Sequence, residues 1–135
     1  MIFKQELADL ILSGDKTVTR RPVKFRHDGW DQPRYDCPIP CRYEVGKTYA
    51  IQPGRGERAI GRIRILDVRA ERLSDIDNVD AANEGFASLD RFAESRTSMR
   101  DDFLTYWSEL YGDDYDEDAL VWRIEFELVE ATVLA

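Results

Sequence analysis

From Leu120 to Val129, apolar and polar side chains alternate, and this segment constrains the fold more than any other. Leu120, Trp122, Ile124, Phe126 and Leu128 fall on one side of an extended chain, with Val121, Arg123, Glu125, Glu127 and Val129 on the other. A period of two predicts a half-buried strand, and a strand needs hydrogen-bonded neighbours. Lys47 to Gln52 reads as one candidate neighbour. Ala59 to Val68 is the longest: Ile63 and Ile65 alternate with Arg62 and Arg64, then Leu66 and Val68 take over the apolar phase. That slip by one residue predicts a bulge or corner near Ile65 and Leu66, the device by which barrels bend a strand.

The period elsewhere is helical. Phe3, Leu7, Leu10 and Ile11 share one face of a short helix, which Gly14 closes. The β-branched run Thr17 to Thr19 then reads as a strand, limited by Pro22. Residues 22–42 carry Pro, Gly, Asp and His without a period and are expected to form a long loop, either functional or mobile. Pro53 to Gly56 is a turn. A helical pattern returns around Asp80 to Phe86. A second follows Ser98 and Asp101, spaced as in a capping box, with Phe103, Trp107, Leu110 and Tyr111 at helical intervals and Gly112 as the stop. The acidic run Asp113 to Asp118 reads as a solvated loop, and Trp107 and Trp122 as core. The elements predict one α+β domain over residues 1–135, a small curled β-barrel with flanking helices.

No apolar run approaches the roughly 20 residues of a membrane helix, and the first residues lack the pattern of a signal segment. A cytoplasmic protein without membrane contact is therefore expected. In a reducing compartment Cys37 and Cys41 are free thiols. A structural zinc site takes four ligands and His27 is the only histidine, so no metal and no other cofactor is expected.

The net charge of −8 argues against a polyanionic partner, but it hides an asymmetry. Residues 1–69 hold 14 of the 19 basic and 9 of the 27 acidic side chains, a net of +5, and residues 70–135 a net of −13. Either the molecule presents one positive and one negative face, or the halves interleave and cancel.

The densest chemistry lies in Gly14 to Arg21, where an amine, two hydroxyls and two guanidiniums follow a helix stop. Lys16 sits at the turn, and if desolvated beside other cations it can lose its proton and serve as a base. The Thr19 hydroxyl is a poor nucleophile without such a neighbour. In an ideal strand positions 16 and 19 face opposite sides, so their cooperation needs the turn geometry at 14–16. The alternative is a basic edge strand with Lys and Arg in solvent.

Gly14, Lys16 and Arg21 at this spacing, after a helix that begins the domain, resemble the signature of ASCH-domain proteins, relatives of the PUA RNA-binding fold. The resemblance continues through Val45 to Gly56, Ala82 to Phe86, Phe103 to Gly112 and Val121 to Phe126, in the expected order. It implies a PUA-like barrel with a cleft facing the first helix and the strand after it. Some small ASCH proteins of similar motif hydrolyse the acyl amide of N4-acetylcytidine with a Lys, a Thr and a Glu. By motif these fall on Lys16, Thr19 and Glu84, with Arg21 positioning substrate or pairing with Glu84. The expected partner is RNA or a modified nucleoside. Arg20, Arg21, Arg26, Trp30 and Arg55 are candidates for phosphate contacts and base stacking. Segments 22–42 and 87–105 exceed a minimal ASCH barrel, so the cleft mouth is expected to differ. The alternatives to an amidohydrolase are a non-catalytic RNA-binding module and a ribonuclease.

Overall fold

In the computed structural model, residues 1–30 and 32–131 are described. Asp31, within the expected 22–42 loop, and residues 132–135, the end of the expected domain, lie outside them. Helix α1 (Gln5–Ser13) leads to strand β1 (Val18–Pro22), the short strands β2 (Phe25–His27) and β3 (Pro33–Pro38), then β4 (Thr48–Ile51) and β5 (Gly61–Arg72). Helices α2 (Asn78–Ala81) and α3 (Met99–Tyr111) follow, and β6 (Leu120–Ala131) ends the series.

Among the described residues β1, β6, β5 and β4 form one antiparallel sheet in that order, and β2 and β3 form a separate hairpin. The α+β class is as expected. The sheet is not closed into a barrel: β1 and β4 remain its two edges. Its register shifts between Ile65 and Asp67, at the expected bulge, and again between Arg62 and Ile63.

Central placement makes β6 more than a half-buried strand. Ile124 and Phe126 pack with Phe3, Ala8, Ile11, Ile51, Ile63 and Ile65 beneath α1. Val121, on the opposite face, joins Leu73, Ile76, Phe86, Phe103 and Trp107 from α3 and its neighbours. Arg123 is buried on that second face too, whereas Leu120 and Leu128 lie at exposed ends. Trp107 is buried as expected, and Trp122 is half-buried against the first cluster.

The expected 22–42 loop is instead built around the β2–β3 hairpin. None of its strand residues is fully buried. With no core to face, the strands left no alternation for the sequence to display. Pro33 and Pro38 sit at the two ends of β3, where the missing N–H costs the ladder least. Phe25 and Tyr35 meet edge to face across the hairpin at 5.3 Å.

The two halves of the chain interleave. Strand β1 lies against β6, and Lys16 and Arg20 of the basic half form ion pairs with Glu71, Asp80 and Glu84 of the acidic half.

Candidate functional site

Helix α1 ends as its glycine dictates. Gly14 takes φ of 86°, the left-handed conformation that glycine adopts without a Cβ penalty. The backbone N–H groups of Asp15 and Lys16 then both donate to Leu10 O, at 2.9 and 3.0 Å. This cap turns the chain so that Lys16 precedes the strand rather than belonging to it, which removes the objection that positions 16 and 19 face apart.

Glu84 comes from across the sequence. Asp77 caps α2 by accepting from the Asp80 N–H at 2.7 Å. The helix then widens into a π-type turn over Ala82–Phe86 that kinks at Gly85, whose φ is 108°. The Thr17 N–H donates to Asn83 O at 2.8 Å, pinning the start of β1 to this turn. A Cβ at Gly85 would stand 2.8 Å from Leu10 Cδ1. Gly85→Ala is therefore expected to lower stability by about 1–3 kcal/mol, through backbone strain plus that clash. Thermal unfolding would check it, and an unchanged Tm would mean that the turn tolerates a side chain.

The Lys16 ammonium, with 2 % exposure, meets the Glu84 carboxylate at 2.7 Å. It also donates to Val18 O at 2.8 Å and Glu84 O at 3.1 Å, so all three N–H donors are engaged. Burial pushes the Lys16 pKa down, Glu84 pushes it up, and Arg21 and Arg20 add to the lowering. The net direction is down, as desolvation of a cation requires.

Behind this pair lies a partly buried ionic array. Arg20 donates from Nη1 to Glu84 at 3.1 Å, from Nη2 to Glu71 at 2.6 Å, and again from Nη2 to Asp80. Arg123 donates to both oxygens of Asp80, at 2.7 and 2.9 Å. Arg20 and Arg123 are direct partners across β1 and β6, a like-charge pairing that is unfavourable on its own. Asp80 between them resolves it. Burial alone would raise the Asp80 carboxyl, but hydrogen bonds and charge from Arg123 and Arg20 hold it well below the usual carboxylate range. The same exchange works on Arg20, where burial is outweighed by Glu84, Asp80 and Glu71 and the pKa rises. Lys16, Arg20 and Arg123 are thus matched one for one by Glu71, Asp80 and Glu84.

In front of the array is a cavity of about 310 Å³. Lys4, Lys16, Thr19, Arg20, Arg21 and Glu84 supply its charged and hydroxyl lining. Phe3, Leu7, Phe86, Phe103, Tyr106 and Trp107 bring apolar walls from both core clusters. Burial raises the Tyr106 pKa to about 12, with Glu6 acting the same way, so its hydroxyl is protonated at neutral pH and points toward the Glu6 carboxylate at 3.5 Å.

Arg21 does not pair with Glu84; Arg20 does. Arg21 instead donates to Ile2 O at 2.7 Å and lies over the Phe3 ring at 5.0 Å. Arg20 is buried among three carboxylates, which engage its guanidinium, while the residue also lines the cavity. Arg55 is exposed in the turn whose Pro53 and Gly54 line the cavity. Arg26 and Trp30 lie apart, on the hairpin, with Trp30 86 % exposed. The sequence reading overlooked Asp80, Glu71 and Arg123. Asp80 carried a signal, since it stands four residues before Glu84 on one helical face.

Cys37 and Cys41 are both free. No helix among the described residues is long and apolar enough to cross a membrane.

Comparison with known proteins bears on the whole architecture. The sequence model of the ASCH domain matches residues 1–130. A crystal structure of a protein from Enterococcus faecalis superposes with a TM-score of 0.57 at 21% identity, covering 97% of this chain and 74% of the other. An ASCH domain from Lactobacillus crispatus gives 0.55 at 22%, covering 91% and 70%. At such identities the likeness speaks for the fold. No curated protein matches the chain.

Proposed function

The chain belongs to the ASCH domain family, and from that premise we propose that it is an amidohydrolase, removing the acyl group of N4-acetylcytidine or a related modified nucleoside. The observation that carries this reading is the buried Lys16–Glu84 contact of 2.7 Å at a cavity that Thr19 also lines. Burial lowers the Lys16 pKa, which favours the neutral amine that a general base must be. Lys16 takes the Thr19 proton as Oγ1 attacks the acetyl carbonyl carbon. Collapse of the tetrahedral adduct breaks the C–N bond, Lys16 returns the proton to N4, and cytidine leaves. Water, deprotonated by the same amine, then cleaves the acyl-threonine ester; acetate departs and Thr19 is restored. Glu84 holds Lys16 in place and moderates its basicity. The apolar walls suit a planar base, and a cavity of about 310 Å³ is on the scale of small-molecule sites.

The reaction needs no metal in this reading, because each carboxylate of the array is already matched to a cation. Incubation with N4-acetylcytidine is expected to release cytidine and acetate in equal amounts, at a rate indifferent to EDTA. Chromatography of the products checks this. A protein inactive on this nucleoside and on its close acyl analogues would move the assignment to the second reading, a non-catalytic RNA-binding module. The exposed Trp30, in the connection between the two hairpin strands, favours that reading, since an exposed aromatic suits stacking on an unpaired base.

A further inference from the structure

A second cavity, of about 390 Å³, adjoins the first, and Arg21 and Tyr111 line both. Three cations face it: Arg21, Lys24 and Arg42. Tyr43, Tyr111 and Trp122 supply aromatic walls, and no Asp or Glu lines it among the described residues. The contrast with the ionic array is the informative point. There every cation has a carboxylate; here, in a chain of net charge −8, three cations share a hollow with none. Lys24 and Arg42 make no salt bridge among the described residues, and Arg42 lies over the Tyr43 ring at 5.2 Å.

Arg21, the shared wall, is incompletely satisfied. Its Nη2 donates to Ile2 O, but its Nε is enclosed and has no hydrogen-bond partner. That nitrogen has no solvent access and is not itself a ligand contact; Arg21 bears on the hollow as a residue that lines both cavities. Guanidiniums match phosphate oxygens better than any other side chain.

We propose that the second cavity is a phosphate subsite, so that the preferred substrate is a phosphorylated nucleoside unit whose base fills the Lys16 cavity while its phosphate lies among Arg21, Lys24 and Arg42. This rests on the nucleoside reading above. The volume exceeds that of a phosphate alone, and the aromatic walls suit a neighbouring sugar or base. The phosphate is either the terminal group of a mononucleotide or a diester within a single strand.

Three substrates separate these sources: N4-acetylcytidine, its 5′-monophosphate, and a short single-stranded oligoribonucleotide carrying one N4-acetylcytidine. At low salt the KM of a phosphorylated substrate is expected to be lower than that of the nucleoside by about tenfold or more. In the double variant Lys24→Gln, Arg42→Gln that ratio falls to within about twofold. An advantage confined to the oligonucleotide identifies the diester, and one already present in the monophosphate identifies the terminal group. Calorimetric titration with cytidine and cytidine 5′-monophosphate provides an arm independent of turnover. Equal KM and equal affinity for the plain and phosphorylated forms would overturn the subsite while leaving deacylation intact. Tighter, salt-sensitive binding of the monophosphate that the double variant loses, with no acetyl release from any substrate, would keep the subsite and sink the amidohydrolase. Failure of both nucleosides and nucleotides to bind or react would dispose of both.

Discussion

Lys16→Met is expected to reduce deacylation by roughly 10²- to 10⁴-fold, the contribution ordinarily made by a positioned general base. Methionine keeps an unbranched stem in the same enclosure, so the change removes charge and basicity with little loss of volume. Stability should suffer less than activity, because Glu84 retains its contact with Arg20 at 3.1 Å. Glu84→Gln is the complementary change. It leaves the buried ammonium with neutral acceptors only, such as the backbone carbonyls of Val18 and residue 84, and stripping a buried ion of its counter-charge costs about 3–5 kcal/mol. The double variant Lys16→Met, Glu84→Gln removes both charges and is expected to recover part of that loss, with a coupling of about 0.5–3 kcal/mol. Activity is not expected to return with it. The pH profile supplies a second signature. A base must be neutral to act, so the rate climbs as pH rises through the Lys16 pKa. Because burial has lowered that pKa, the midpoint of the rise lies below the ordinary lysine value of about 10.4. A folded Lys16→Met protein with the wild-type rate and profile would remove Lys16 from the chemistry altogether.

The sequence exposed the scaffold where one face of an element meets a core and hid it where both faces do, or neither. Helix α1, its glycine stop and the bulge in β5 follow from periodicity alone. The β2–β3 hairpin left no trace because neither side of it is buried. Arg123 was misleading for the opposite reason. On β6 it occupies a polar position of an alternating strand, which reads as solvent-facing; only the register that sets it opposite Arg20 makes it an internal cation. That register is a long-range fact, pairing residues a hundred apart in sequence, and no local pattern encodes it. Lys16 and Thr19 stand out by the chemistry packed into Gly14 to Arg21, whereas Glu84 is marked only by family resemblance. What the structure adds is the reason Lys16 and Glu84 meet: two glycines with positive φ, Gly14 and Gly85, each re-aim the chain beside one of them.

Asp80→Asn is expected to destabilise the protein by about 3–5 kcal/mol at neutral pH, the usual consequence of removing one side of a buried ionic cluster. Arg123 loses the carboxylate that takes both of its hydrogen bonds to side chains, while Arg20 keeps Glu71 and Glu84. Two guanidiniums would then face each other across β1 and β6 without the group that reconciles them. The pH dependence fixes the cause. The Asp80 carboxyl is held below its ordinary range in the folded state, so the unfolded chain takes up the proton first as pH falls. Its stabilisation is therefore complete above the unfolded value of about 3.9, and is lost progressively as pH drops from there through the folded pKa. Asparagine does not titrate, so the gap between wild type and variant narrows over that acid interval. Adding Arg123→Met to Asp80→Asn removes the stranded cation and is expected to restore part of the stability, as coupled neighbours do. Denaturant titrations at neutral and acid pH would measure all three proteins. A gap that stayed constant down to strongly acid pH would mean that Asp80 acts through packing, and the charge-matching account of the array would have to be given up.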